Sequence, residues 1–195
     1  MEWPFGCSLL VERARTKRPD YDPMRHMKRN GFSLIELLIV VAIILIIAAV
    51  AIPNLLRSKI AANESSAVAS TRTIITAETT YASSWGSGYA VTIGNLGGAP
   101  PCAIATAGAA CIIDPGLSVA PFTKSGYTFA AVGSTAAGGV LSTFEVNATP
   151  AVLGVTGQRA FCTDQTGVIR ANTTGVAIGT GAGTCATVVT QLVGN

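Results

Sequence analysis

Gly31-Phe32-Ser33-Leu34-Ile35-Glu36 runs into Leu37-Leu38-Ile39-Val40-Val41-Ala42-Ile43-Ile44-Leu45-Ile46-Ile47-Ala48-Ala49-Val50-Ala51-Ile52, a stretch without one polar side chain. As a helix, Phe32 to Ile52 spans roughly 30 Å, the thickness of a hydrocarbon core. Its only charge is Glu36. An unpaired carboxylate in hydrocarbon costs several kcal/mol, so Glu36 needs a partner, and its position is functional by default.

Charge is distributed unevenly around this run. Residues 1–31 hold seven Lys/Arg and four Asp/Glu, a net +3 that equals the charge of the whole chain, so residues 32–195 are neutral. The positive-inside rule keeps the N-terminus cytoplasmic and translocates everything after Ile52. Three readings compete. One is a plain membrane anchor. A second is a secretory signal cleaved at Ala49-Val50-Ala51, which Glu36 and Pro53 oppose. The third is cleavage at Gly31–Phe32, ahead of the apolar run. Glycine leaves backbone room there, and the cut creates an ammonium at Phe32 that can partner Glu36 where the dielectric is low.

The segment from Gly31 through Glu36 to Ala51-Ile52-Pro53 resembles the N-terminal motif of type IV pilins and the related type II secretion pseudopilins. In that family a membrane-embedded prepilin peptidase cuts after the glycine and the new N-terminal Phe is N-methylated. An acid five residues into the mature chain then pairs with a neighbouring subunit's amine. The resemblance implies that Gly31 ends a leader, Phe32 is the methylated terminus and Glu36 is the assembly acid. An intramolecular Phe32–Glu36 pair, one helical turn apart, is the alternative.

Family leaders are short and basic, and Met27-Lys28-Arg29-Asn30-Gly31 would suffice. Residues 1–26, with Trp3, Pro4 and Cys7, carry no apolar periodicity. They are expected to reflect a start assigned too far upstream, with Met24 and Met27 as other starts; a long leader is the alternative.

Beyond the run, Pro53 is expected to kink the helix. Ile60, Ala67, Ile74 and Tyr81 recur every seven residues with Val68 and Ile75 beside them, an amphipathic stripe. Arg57, Lys59, Glu64, Arg72 and Glu78 are expected elsewhere, on the surface. Gly86 and Gly88 should end the helix. The composition then turns to Gly, Ala, Thr, Ser and Val. Strand signals lie in 127–132 and 140–147, and on both sides of the turn Asp164-Gln165-Thr166-Gly167. The expected fold is α+β: a long N-terminal helix packed on a small antiparallel sheet of three or four strands. The expected organisation is leader 1–31, membrane or filament-core helix 32–52, amphipathic continuation 53–85 and a β-rich head 86–195.

Four cysteines follow the apolar run, Cys102, Cys111, Cys162 and Cys185, and an even count in an oxidising compartment favours disulfides. Three connectivities are open. Neighbour pairing, Cys102–Cys111 and Cys162–Cys185, is the expectation, and the second pair would resemble the C-terminal disulfide loop of many type IV pilins.

Other classes find little support. His26, the only histidine, precedes Gly31, so the mature chain has no His for a Ser-His-Asp or Cys-His unit. Metal spacing is absent, and no cofactor is expected. Gly179-Thr180-Gly181-Ala182-Gly183 lacks the Lys of a phosphate loop. The six acids after Gly31 include no obvious catalytic pair and read as solvated or helix-face charges, and six scattered Lys/Arg make a poor nucleic-acid footprint. An enzyme is not expected. The Asn-X-Ser/Thr matches at Asn63, Asn147 and Asn172 read as chance.

The resemblance implies a pilus-like homo-oligomeric filament whose partners are the prepilin peptidase/methylase and an inner-membrane assembly platform. The alternatives are a pseudopilin forming a periplasmic pseudopilus, and a membrane-tethered binding module that never polymerises.

Overall fold

The computed structural model describes residues 31–135, 138–178, 184–187 and 191–193. The expected leader up to Asn30, with Cys7 and His26, lies outside the described residues, as does Gly179–Gly183 of the glycine-rich tail. The chain forms two units, Met1–Ile43 and Ile44–Asn195, with the boundary inside its longest helix.

That helix, α1 (Leu34–Trp85), begins after Ser33 and runs through Pro53 without a break. A proline removes one backbone donor and crowds the preceding turn, yet the strong helix formers on both sides carry the helix past it. The large side chains of its apolar beginning are exposed: Leu34, Ile35, Leu45, Ile46 and Val50 are all more than 60 % accessible. This is the one described helix long and apolar enough to cross a membrane. Gly86, at φ +64°, ends it as a left-handed cap that a side chain would strain.

In the second unit, α1 from Ile60 onward becomes two-faced. Ala67, Ile74, Ala77 and Tyr81 are buried in one cluster with Tyr127, Phe129, Phe144, Val146 and Phe161. Each of these large side chains contributes roughly 1.5–3 kcal/mol by leaving water. The sheet opposite α1 is a meander in sequence order: β1 (Thr123–Lys124), β2 (Tyr127–Thr135), β3 (Leu141–Pro150), β4 (Ala160–Asp164), β5 (Arg170–Asn172) and β6 (Gln191–Leu192), all pairs antiparallel. The α+β architecture is the expected one, with six strands among the described residues instead of three or four. The additional edge strands β1 and β6 have two residues each, too short to show alternation.

Among the described residues the head also holds three short helices: α2 (Ile93–Leu96), α3 (Pro115–Ser118) and α4 (Thr184–Thr187). The first two lie in the stretch between α1 and the sheet. The segment after α1 is stitched to the sheet by Tyr89 N–H donating to Leu141 O (2.9 Å) and Gly133 N–H to Val91 O (3.2 Å). Gly88 sits at φ +85°, and a Cβ there would come within 2.2 Å of Leu141 O.

Strand β4 is buried on both faces. Phe161 enters the helix-side core, whereas Cys162 joins Ile178 and Cys185 on the other face. Glu145 and Asn147 are register partners of Asp164 and Cys162, so they share that second face.

Candidate functional site

The N-terminal site is built by the first turn of α1. Ser33 occupies the N-cap, and its carbonyl accepts the first helical hydrogen bond from Leu37 N–H at 3.2 Å. Ser33 N–H donates to Glu36 Oε2 at 3.0 Å. Glu36 thus reaches back over the helix start, half of a Ser-x-x-Glu capping box, and its charge sits at the positive end of the helix dipole. Glu36 Oε1 has no partner among the described residues. Phe32 is 77 % exposed, and nothing lies within 4 Å of where a Cβ at Gly31 would stand. Among the described residues nothing covers the Gly31–Phe32 bond, one residue before the N-cap.

Residues 26–52 match the family model of the prokaryotic N-terminal methylation motif. Neither a curated protein nor a solved structure matches the chain. The methylation motif covers Gly31, Phe32, Glu36 and the apolar run, and it bears on that segment alone. It supports a pilin-like or pseudopilin-like protein that is processed by a prepilin peptidase and anchored in a membrane before assembly. The long apolar helix and the two disulfides fit that description.

Cys102 is joined to Cys111 and Cys162 to Cys185, each with 5.8 Å between Cα atoms. The first closes the loop after α2. The second fastens α4 to the outer face of β4. Beside it, the Glu145 carboxylate accepts from Thr184 N–H, Thr184 Oγ1–H and Cys185 N–H at 2.7–3.2 Å. Asp164 forms the turn to β5 by accepting from Thr166 N–H at 2.9 Å, and it lies 3.6 Å from Arg170.

These acids correct the sequence reading. Glu64, Glu78, Glu145 and Asp164, all expected as solvated or helix-face charges, are buried. On α1 the reason is geometric. Residues 64, 71 and 78 recur every seven, each four after 60, 67 and 74, so they lie on the same face as the apolar stripe. That second column was the available signal. The partners come from the loop before β4 for Glu64 and from the segment after α1 for Glu78, and were not visible in sequence.

Glu64 is fully satisfied. Its Oε2 accepts from Arg159 Nε (2.9 Å) and Nη2 (2.7 Å), and its Oε1 from the backbone N–H groups of Gln158 and Arg159 (3.0 and 3.1 Å). Burial pushes its pKa up, but the Arg159 guanidinium and these donors outweigh it and hold the carboxyl below its usual range. Glu78 is the opposite case. It accepts one hydrogen bond, from Ala90 N–H at 2.8 Å, and Oε1 has no partner. Burial raises its pKa to about 7, against a lesser lowering by Ala90.

Among the described residues no group of three or more His, Cys, Asp or Glu could hold a metal ion. The aromatic side chains serve packing: Tyr81 stacks on Trp85 at 5.1 Å and Tyr89 meets Phe144 edge-on at 4.7 Å.

Proposed function

We propose that the chain is a structural subunit of a type IV pilus-like filament. It is cleaved after Gly31, N-methylated at Phe32 and assembled through Phe32–Ile52. In this reading residues 1–31 are the leader, 32–52 form the filament core, 53–85 carry the head on the same helix with Pro53 as the point of bending, and 86–195 face outward. The prepilin peptidase/methylase and an inner-membrane platform are its partners. Before assembly the chain spans the inner membrane once with its N-terminus cytoplasmic.

The observation that carries this reading is the methylation motif set on a helix whose apolar half is exposed on all sides. Such a surface needs lipid or other copies, and helices repeated by a non-closing contact make a fibre. Glu36 supports it. Its Oε2 caps its own helix, which leaves Oε1 for an amine that exists only after cleavage. The Phe32 amine of the same chain and that of a neighbour both meet this requirement.

N-terminal mass spectrometry of the mature protein tests the proposal. A methylated Phe32 is expected; an intact leader or a start near Ile52 overturns it. Electron microscopy of sheared cell surfaces separates a surface fibre from a periplasmic pseudopilus.

A further inference from the structure

Within the second unit a groove of about 490 Å³ lies beside α1, lined by Arg57, Ile60, Ala61, Glu64, Gln158 and Arg159. Its charge is not balanced. All the acceptor capacity of Glu64 turns toward Arg159 and the backbone before it, so Glu64 offers nothing to Arg57. The other acid of this part of α1, Glu78, is buried against Ala90. Arg57 is exposed and has no partner among the described residues. Arg159 engages Glu64 through Nε and Nη2, which leaves Nη1 outside the fork. The groove thus presents one uncompensated guanidinium and the free corner of a second, above the apolar Ile60 and Ala61.

Its height along the helix is defined as well. Arg57 is the first charge after the apolar run, five residues past Ile52, or about 8 Å along the axis. Headgroups occupy roughly 5–8 Å on each side of the hydrocarbon. A membrane-stored chain therefore holds this groove at phosphate depth, with the exposed Leu55 and Leu56 immediately below it.

We propose that the groove binds the phosphate of an anionic phospholipid. Arg57 is the principal ligand and the Nη1 edge of Arg159 the second. A guanidinium suits a phosphate because two parallel donors match two oxygens. The proposal rests on membrane storage before assembly, and it adds a lipid-selective contact to that state. A second copy of the chain is a poorer occupant. Of its described acids outside the core, Asp114 is paired with Lys124 at 2.8 Å, which leaves Glu36 at the far end of the apolar run.

The test uses the full chain in detergent micelles, with native mass spectrometry as the readout. Phosphatidylglycerol, phosphatidylcholine and inorganic phosphate are added in separate titrations. Retention of phosphatidylglycerol over phosphatidylcholine is expected. It should fall about five-fold in Arg57→Gln, as for loss of one surface cation from an anionic lipid contact, and much less in Arg57→Lys. Arg57 is exposed, so the variant should unfold at the parent's temperature, and a thermal scan checks this. Equal retention in parent and Arg57→Gln overturns the proposal, as does equal retention of the two lipids. Displacement of phosphatidylglycerol by millimolar inorganic phosphate makes the groove a free-anion site and overturns the lipid assignment. A dimer lost in Arg57→Gln with lipid retention unchanged assigns the groove to a second copy instead. The mass of the N-terminus is read in the same sample. Lipid selectivity with an unmethylated Phe32 keeps the groove and removes the filament reading.

Discussion

Arg159 in the sheet-side loop grips Glu64 on α1 from 95 residues away, with Nε and Nη2 both directed at Oε2. The arginine is partly exposed and also lies 5.5 Å over the Phe161 ring, so it closes the edge of the core as well as neutralising the acid.

Arg159→Ala should destabilise the protein by about 2 kcal/mol. Removing one partner leaves a nearly buried carboxylate behind, and the figure is reduced from the ~3–5 kcal/mol of fully buried pairs because the arginine is in contact with water. Urea unfolding of the full chain in detergent measures it. A change under about 0.5 kcal/mol would show that the contact adds nothing to stability.

Glu64 and Glu78 should give the stability curve opposite slopes. The Glu64 pKa is lowered in the fold, so its contribution is present above the unfolded value near 4.5 and is lost as pH falls through the folded one. The Glu78 pKa is raised to about 7, so the folded state keeps a proton that the unfolded chain has released. Stability then falls as pH rises from about 4.5 to about 7, by on the order of 3 kcal/mol, and is flat above that window. Glu78→Gln should abolish this slope while leaving the acid limb intact. An unchanged slope in Glu78→Gln would mean that another group titrates there.

Gly157→Ala should destabilise by about 1–3 kcal/mol. A Cβ at this position would stand 2.0 Å from the Tyr127 hydroxyl, which is buried and donates to Arg159 O at 2.8 Å. Either the loop moves away from the sheet or the tyrosine loses its bond. Thermal unfolding reads the loss, and a melting temperature equal to the parent's would show that the loop yields freely.

Removing the Cys162–Cys185 bridge should cost more than removing Cys102–Cys111. The sequence separations are 23 and 9, and the chain-entropy account makes the longer closure worth about 1 kcal/mol more. Double serine variants compared in urea measure this difference. Hydrogen exchange adds a local readout, because Thr184 and Cys185 N–H should lose protection only in the variant lacking the second bridge.

How much of this was legible varies along the chain. The start of α1, its length and its end at Gly86 could all be read, because a continuous apolar run, a seven-residue stripe and a glycine pair are local signals. So could the alternation of β2 and the turn at Asp164–Gly167. The two-residue strands β1 and β6 could not, since they exist only through pairing. Nor could the burial of Glu145. It lies on the polar face of β3 and is covered by Thr184 and Cys185, from almost forty residues downstream.

The sequence by itself determined the Gly31–Phe32–Glu36 junction, the exposed apolar helix and the α+β class, because each depends on neighbouring residues and a repeat period. Only the tertiary structure decided which acids are charged. Glu64 meets a guanidinium and four donated hydrogens; Glu78, fourteen residues along the same face, meets one backbone N–H and an apolar core. The same side chain on the same helix is held ionised in one place and pushed toward neutrality in the other, because the electrostatics of a buried carboxylate depend on what the distant chain brings to it.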